Sequence, residues 1–193
     1  MNENHAQLCA SREWAECVQT EFLPPLVRDV DLGADLLEIG PGPGAATEWL
    51  CQHVRRLTAL ESDGVAAAKL KATYDGSNVD VVSGDAARMS FADASFDSAA
   101  SFTMLHHVPT VALQNQVLAE VLRVLRPGGV LIGSDSLASN DLHHFHADDT
   151  YNPVEPASLL TRLQTLGFCK ITLMVEESLS FIAHRPCPDG DLS

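Results

Sequence analysis

The chain has 193 residues, enough for one domain with a sizeable hydrophobic core. Its 12 basic residues against 26 acidic ones give a net charge of −14, which argues against nucleic acid and anionic membranes as partners. No apolar run approaches the roughly 20 residues that span a bilayer, and the first residues lack the basic and apolar regions of a signal peptide. The five cysteines form no Cys-x-x-Cys pair, so we expect reduced cysteines in a cytoplasmic protein.

Helix and strand patterns alternate through the first half of the chain. Apolar residues at helical spacing between Ala10 and Phe22 predict an N-terminal helix, which Pro24 and Pro25 should end. The elements predicted next are a strand at Asp35–Ile39, a helix with a buried stripe of Ala46, Trp49, Leu50 and His53, a strand at 55–60 that ends at Glu61, a helix at 64–74 and a strand at 78–83.

The second half continues this alternation up to a long polar segment. Residues 136–154 are rich in His and Asp and exceed the usual connection length, which predicts a functional or mobile loop. Two apolar runs joined by Glu176 and Glu177 predict an antiparallel hairpin, and 186–193 should be a frayed tail. The predicted elements are a strand within 95–102, a helix at 111–125, a strand at 130–135, a helix from Pro156 to near Gly167, and hairpin strands at Cys169–Val175 and 179–184.

This order of elements predicts a doubly wound, Rossmann-like α/β fold. It would be a three-layer sandwich around a seven-stranded, mostly parallel sheet with an antiparallel C-terminal strand. The chain shows no internal repeat and no linker, so residues 1–193 are predicted to form a single domain. In such a fold a ligand binds at the carboxyl ends of the central strands.

A glycine turn follows the first predicted strand. Gly40, Gly42 and Gly44 lack a Cβ, so their backbone can approach a ligand closely, and the N-terminus of the next helix would face that ligand. Glu61 lies 21 positions beyond Gly40, at the predicted end of the second strand. This layout predicts a nucleotide-type cofactor site. Because Gly40-x-Gly42-x-x-Ala45 also satisfies the looser dinucleotide pattern, the turn alone leaves the cofactor open.

Four further segments, which follow the turn along the chain, narrow the choice of cofactor. Together with the turn they make the region 36–135 similar to class I S-adenosylmethionine-dependent methyltransferases, especially the small single-domain type 11 members. The five matching segments are Glu-Ile-Gly-Pro-Gly-Pro-Gly at 38–44, Leu-Glu-Ser-Asp at 60–63, the Gly-Asp-Ala turn with its following Phe at 84–91, the stretch from Ser95 to Val108 that ends in Leu-His-His-Val, and Leu-Arg-Val-Leu-Arg-Pro-Gly-Gly-Val-Leu at 122–131.

The resemblance implies S-adenosylmethionine as the cofactor and gives roles to the acidic residues after the second and third strands. Glu61 would hydrogen-bond both ribose hydroxyls, since a carboxylate offers two acceptor oxygens. Asp85 would accept a hydrogen bond from the adenine amino group, with Ala86 beside the ring.

The resemblance also implies how the methionine part is held. It would lie against Gly40 and Gly42, with Glu38 beneath the turn near the cofactor's ammonium group and the backbone carbonyl near Phe102 accepting from that ammonium. In the family a helix such as that within 1–28 often covers the cofactor as a lid. The full predicted cofactor-binding set is Glu38, Gly40, Pro41, Gly42, Gly44, Glu61, Ser62, Asp85, Ala86 and Phe102.

The predicted function is therefore methyl transfer to an unidentified small-molecule acceptor, with the oligomeric state left open. Nucleic acid is not expected as the substrate, because the chain is acidic and has no Asn/Asp-Pro-Pro-aromatic motif after the fourth strand. Two alternatives remain: an NAD(P)-dependent oxidoreductase, and a methyltransferase-like binding or regulatory protein without catalysis.

Two groups of histidines are further candidates for a functional role, but neither identifies a catalytic residue. His106 and His107 follow the fourth strand, where a base could meet the acceptor, but the same pair could cap or pack the next helix. A second group has metal-ligand chemistry but no diagnostic spacing, so we predict a solvated or substrate-contacting loop and no metal. That group is His143, His144, His146, Asp148 and Asp149.

Overall fold

Seven strands form one sheet within residues 7–188, the part of the chain that the computed structural model describes. They are β1 (Asp35–Ile39), β2 (Arg56–Glu61), β3 (Val79–Ser83), β4 (Phe96–Phe102), β5 (Leu125–Ser136), β6 (Cys169–Val175) and β7 (Ser178–His184). The strand order is β3-β2-β1-β4-β5-β7-β6, with β1 to β5 parallel and β7 antiparallel to both neighbours. The predicted mixed sheet and its C-terminal hairpin are confirmed.

Helices cover both faces of this sheet. They are α1 (Arg12–Cys17), a π-helical turn (Val18–Phe22), α2 (Leu23–Val27), α3 (Ala45–Leu50), α4 (Gly64–Thr73), a 3₁₀ turn (Leu105–His107), α5 (Val111–Val124), α6 (Asn140–Phe145) and α7 (Pro156–Leu166).

Two apolar clusters fill the spaces between the sheet and its helices. One contains Leu118 of α5 and Leu159 of α7, and the other contains Leu50 of α3. The neighbouring β1 residues Leu36 and Leu37 belong to different clusters, because successive side chains of a strand point to opposite faces. The result is the predicted three-layer sandwich. Strand order reverses between β1 and β4, which creates the crevice where doubly wound sheets bind ligands.

The prediction that Pro24 and Pro25 end the N-terminal helix was wrong. The helix passes through a π-helical turn, in which the Leu23 N–H donates to the carbonyl of Val18, five residues back. Both prolines then occupy the first turn of α2, where a missing N–H costs no helical hydrogen bond.

Three other boundaries differ from the predictions by more than one residue. Helix α3 ends at Leu50, so His53 is exposed rather than part of a buried stripe. Strand β5 begins at Leu125 and includes 127–129, because Gly129 allows a close backbone approach at a bulge: a Cβ there would lie 2.8 Å from the carbonyl oxygen of Asp97. The predicted loop 136–154 contains α6, whose first turn is capped by the hydroxyl of Ser139.

Parts of two predicted segments lie outside the described residues: 1–6 of the N-terminal helix region and 189–193 of the tail. Within 7–188, no helix combines the length and apolar character needed to cross a membrane.

Candidate active site

A large cleft opens at the carboxyl ends of β1 to β5. Its volume of about 1810 Å³ exceeds the range of about 300–1,000 Å³ that is usual for a pocket holding one small ligand. The cleft therefore has room for two ligands side by side. The predicted site residues that line it are Glu38, Gly40, Pro41, Gly42, Glu61, Ser62, Asp85, Ala86 and Phe102.

The three glycines of the turn have different structural roles. All have positive φ, at 64° for Gly40, 54° for Gly42 and 94° for Gly44, a conformation that disfavours residues with a Cβ. A Cβ on Gly42 would meet nothing within 4 Å, whereas one on Gly40 would lie 2.3 Å from Cγ of Met104. Gly44 caps α3 instead of lining the cleft, and a Cβ there would lie 2.8 Å from Leu70.

Glu61 ties the end of β2 to this turn. Its Oε2 accepts a hydrogen bond from the N–H of Gly42 at 3.1 Å, and its Oε1 accepts one from the N–H of Asp63 at 2.9 Å. The side chain is largely buried at the base of the cleft. These two anchors fix the orientation of a carboxylate that faces the cleft.

Glu38 lies beneath the turn and is 2% exposed. Its Oε2 accepts a 2.6 Å hydrogen bond from the hydroxyl of Thr47. Burial raises the pKa of the Glu38 carboxyl to about 7; the Thr47 hydrogen bond opposes this rise, and the negative charge of Glu61 adds to it. A cationic group in the cleft would relieve both the burial cost and the repulsion between the carboxylates.

The turns after β3 and β4 complete this side of the cleft. Asp85 is exposed, and its Oδ1 accepts a hydrogen bond from the N–H of Ala87 at 2.8 Å. At the end of β4, Thr103 has φ of 48°, an uncommon value for a residue with a branched side chain, and it lines the cleft beside Phe102. The sequence carried no signal for this backbone conformation.

The residues at the carboxyl ends of β1 to β3 form what we call the glycine wall: Glu38, Gly40, Gly42, Glu61 and Asp85. Its chemistry fits S-adenosylmethionine, because Glu38 is suited to an ammonium, the fixed carboxylate of Glu61 to a diol, and the open space at Gly42 to close contact with a ligand.

Beyond the β1/β4 reversal lies a second wall, which we call the histidine wall: His107, Val108, Leu137, Leu142 and Asp149. Behind it, Nδ1 of the buried His106 lies 2.6 Å from Oδ1 of Asp135, which also accepts from the N–H of Ser136 at 2.8 Å.

The fold brings one loop histidine to the pair after β4. The ring centroid of His146 lies 5.0 Å from that of His106 and 5.4 Å from that of His107. His146 is buried, whereas His143 and His144 on the same segment are exposed. Of the histidines in the loop group, His146 therefore contacts the pair after β4, which lies about 40 positions earlier in the chain.

The N-terminal segment also reaches the cleft. Trp14, Val18 and Phe22 line it, and Gln19 donates to the carbonyl of Ala45 at 3.1 Å. The helical spacing of Trp14 and Phe22 predicted one common face, but it did not distinguish a core from the side of a cleft.

Comparisons with known proteins agree with this geometry. The family model described as "Methyltransferase domain" matches residues 37–133. The chain is 31% identical over 128 residues to the phthiotriol/phenolphthiotriol dimycocerosates methyltransferase 1 of Mycobacterium ulcerans, covering 65% of this chain and 46% of that protein. It is 32% identical over 114 residues to a fatty-acid O-methyltransferase of Mycolicibacterium smegmatis, covering 57% of this chain and 40% of that protein.

The fold has similar neighbours among solved structures. A SAM-dependent methyltransferase from Aquifex aeolicus superposes with a TM-score of 0.75 at 13% identity, covering 96% of this chain and 99% of that one. By contrast, the chain spans about half the length of the curated relatives it matches. From the family match and the cleft that carries its motifs, the chain belongs to the S-adenosylmethionine-dependent methyltransferases of the type 11 methyltransferase-domain family.

Proposed function

We propose that the chain transfers a methyl group from S-adenosylmethionine to a small molecule with an apolar body. The observation that carries this proposal is the division of one large cleft at the β1/β4 reversal. A polar glycine wall stands on one side, and a histidine wall with apolar neighbours stands on the other. The volume is large enough for cofactor and acceptor together.

The glycine wall would hold the cofactor, whose sulfonium supplies an electrophilic methyl group. Glu61 would accept hydrogen bonds from the ribose hydroxyls, with Ser62 beside it, and Asp85 would accept from the adenine amino group next to Ala86. These carboxylates are suited to the roles because they lie at adjacent strand ends along the cleft.

The turn itself would hold the methionine part. Gly40, Pro41 and Gly42 would contact it through their backbone, and Glu38 would lie near its ammonium together with the carbonyl of Phe102. Gly44 would act indirectly, since it shapes the start of α3. Much of the rate enhancement would come from positioning the methyl group in line with the acceptor atom.

Apolar side chains that line the cleft support an acceptor with a hydrophobic body. Val108, Leu137 and Leu142 belong to the histidine wall, and Trp14 and Phe22 of the N-terminal segment line the same cleft. One similar protein is named a fatty-acid O-methyltransferase, which is consistent with this chemistry. The net charge of −14 argues against nucleic acid as the acceptor. The five cysteines are free, which supports our proposal that the protein works in the reducing cytoplasm.

Calorimetry with S-adenosylmethionine and S-adenosylhomocysteine tests the cofactor assignment, with NADH as the rival ligand. We expect saturable binding of the first two and none of NADH. Folded protein that binds neither adenosyl compound would overturn the proposal.

Mass spectrometry would then follow methyl transfer to two matched panels of acceptors. The apolar panel contains fatty acids and other amphipathic acids or alcohols, and the polar panel contains polar molecules with the same acceptor groups. Methylation confined to the apolar panel is the expected result. Cofactor binding without turnover on any acceptor would favour the alternative of a non-catalytic binding protein.

A further inference from the structure

We propose that His106, His107 and His146 bind one divalent transition-metal ion, with Zn²⁺ as the probe. Each histidine offers one ligand atom, and the three atoms lie within 4.8 Å of one another. A tetrahedral zinc site with Zn–N distances of about 2.0–2.1 Å needs ligand nitrogens about 3.3 Å apart. Moderate rotation of the rings would therefore close the cluster around an ion.

The partners of the other ring nitrogens favour a metal site over simple packing. Nδ1 of His106 lies 2.6 Å from the Asp135 carboxylate, and Nδ1 of His146 lies 2.7 Å from the carbonyl of Leu142. With Nδ1 donating to an oxygen, the neutral imidazole carries its lone pair on Nε2. Histidines that bind metals almost always donate their second ring N–H to a carboxylate or a backbone carbonyl in this way.

The rings of His106 and His146 lie inside the protein. His106 and His146 are buried, and the ring of Tyr151 stacks on that of His146 at a centroid distance of 4.5 Å and an angle of 19°. His107 is half-buried and lines the cleft. A site with two buried ligands and one at the cavity surface can keep a coordination position open toward a bound molecule.

Three imidazoles select the class of ion. Nitrogen ligands suit Zn²⁺, Cu²⁺, Fe²⁺ and Ni²⁺, whereas Mg²⁺ and Ca²⁺ prefer oxygen ligands. On the histidine wall such an ion would act as a Lewis acid at the acceptor end of the cleft. That location rests on the proposed function, but the binding of the metal does not. The sequence predicted no metal, because the ligand spacing of its loop group is not diagnostic. The fold adds two histidines from the turn after β4 to one histidine of that group.

The test uses the full chain without a polyhistidine tag, stripped with a chelator and then titrated with Zn²⁺ by competition with a chromophoric chelator. We expect one ion per chain, and no competition by Mg²⁺. The variants His107→Gln and His146→Gln should each lower zinc affinity at least tenfold. His144→Gln is the matched control, because its Nδ1 makes the same 2.7 Å contact with a carbonyl four residues back but its ring is exposed.

Equal zinc affinity in all three variants would overturn the proposal, as would the absence of saturable binding to the wild type. If a variant fails to fold, X-ray absorption on the zinc-loaded wild type decides the question. It should show three imidazole nitrogens at about 2.0–2.1 Å, and sulfur ligands would contradict the assignment. Because no cofactor is present in these measurements, their failure is distinct from a failure to bind S-adenosylmethionine.

Discussion

The glycine wall and the histidine wall lie on either side of the same strand reversal but are built in different ways. Each residue of the glycine wall lies in, or within a few positions of, the end of β1, β2 or β3, and its partners are near it in the chain or on the next strand. The histidine wall combines the 3₁₀ turn after β4 with a segment some 30 to 40 residues later. A wall made of local turns can be recognised from short motifs, whereas a wall made of distant segments cannot.

The largest expected effect concerns Glu61, the centre of the glycine wall. Glu61→Ala should weaken binding of S-adenosylmethionine by about 10²- to 10⁴-fold, because it removes up to two charge-assisted hydrogen bonds worth about 1.5–3 kcal/mol each. Calorimetry measures the effect, with Asp80→Ala on the exposed side of β3 as the control. Unchanged affinity in folded Glu61→Ala protein would contradict the proposed hydrogen bonds to the ribose. It would also contradict the assignment of the cofactor to the glycine wall.

The next effect is a pH dependence that belongs to Glu38. Its folded pKa of about 7 lies above the ordinary value of 4.5, so the folded state binds a proton that the unfolded state has already lost between these pH values. The free energy of unfolding should therefore fall by up to about 3 kcal/mol relative to Glu38→Gln as pH rises from 4.5 through 7. Urea unfolding of both proteins from pH 5 to 8 measures this difference, and parallel pH profiles would contradict it.

The variant Asp135→Asn, behind the histidine wall, tests whether the two halves of the cleft act independently. Loss of the carboxylate behind His106 should lower zinc affinity by about 10- to 100-fold, because the partner of a metal-binding imidazole sets its orientation and basicity. Affinity for S-adenosylmethionine should change by less than about twofold, since that ligand is assigned to the other wall. A parallel loss of both affinities would show that the walls are coupled.

The smallest effect compares two glycines of one turn. Gly40→Ala and Gly42→Ala both force alanine to a positive φ, at a cost of about 1–2 kcal/mol. Only Gly40→Ala adds a clash with Met104, so it should destabilise the fold by about 1 kcal/mol more, near the low end of overpacking costs because methionine is unbranched. Chemical denaturation measures this difference. Equal destabilisation would mean that Met104 repacks freely.

Much of the fold followed from local patterns. The strand bounds of β1 were predicted to the residue, and those of β2, β3 and β4 to within one residue. The failures have specific causes. Pro24 and Pro25 favour a helix end by sequence, because the sequence does not reveal the π-helical turn before them. His53 fitted the helical spacing of its neighbours, but α3 ended before reaching it.

By itself, the sequence determined the order of the elements, the glycine turn, the acids at the strand ends and the family that these motifs mark. Such features are encoded by residues close together in the chain, where backbone conformation and the period of burial act directly. The tertiary structure alone decided that Gly44 packs against α4 instead of lining the cleft and that Trp14 faces the cleft. It also decided that His146 joins His106 and His107, since contacts between distant segments depend on how the layers pack.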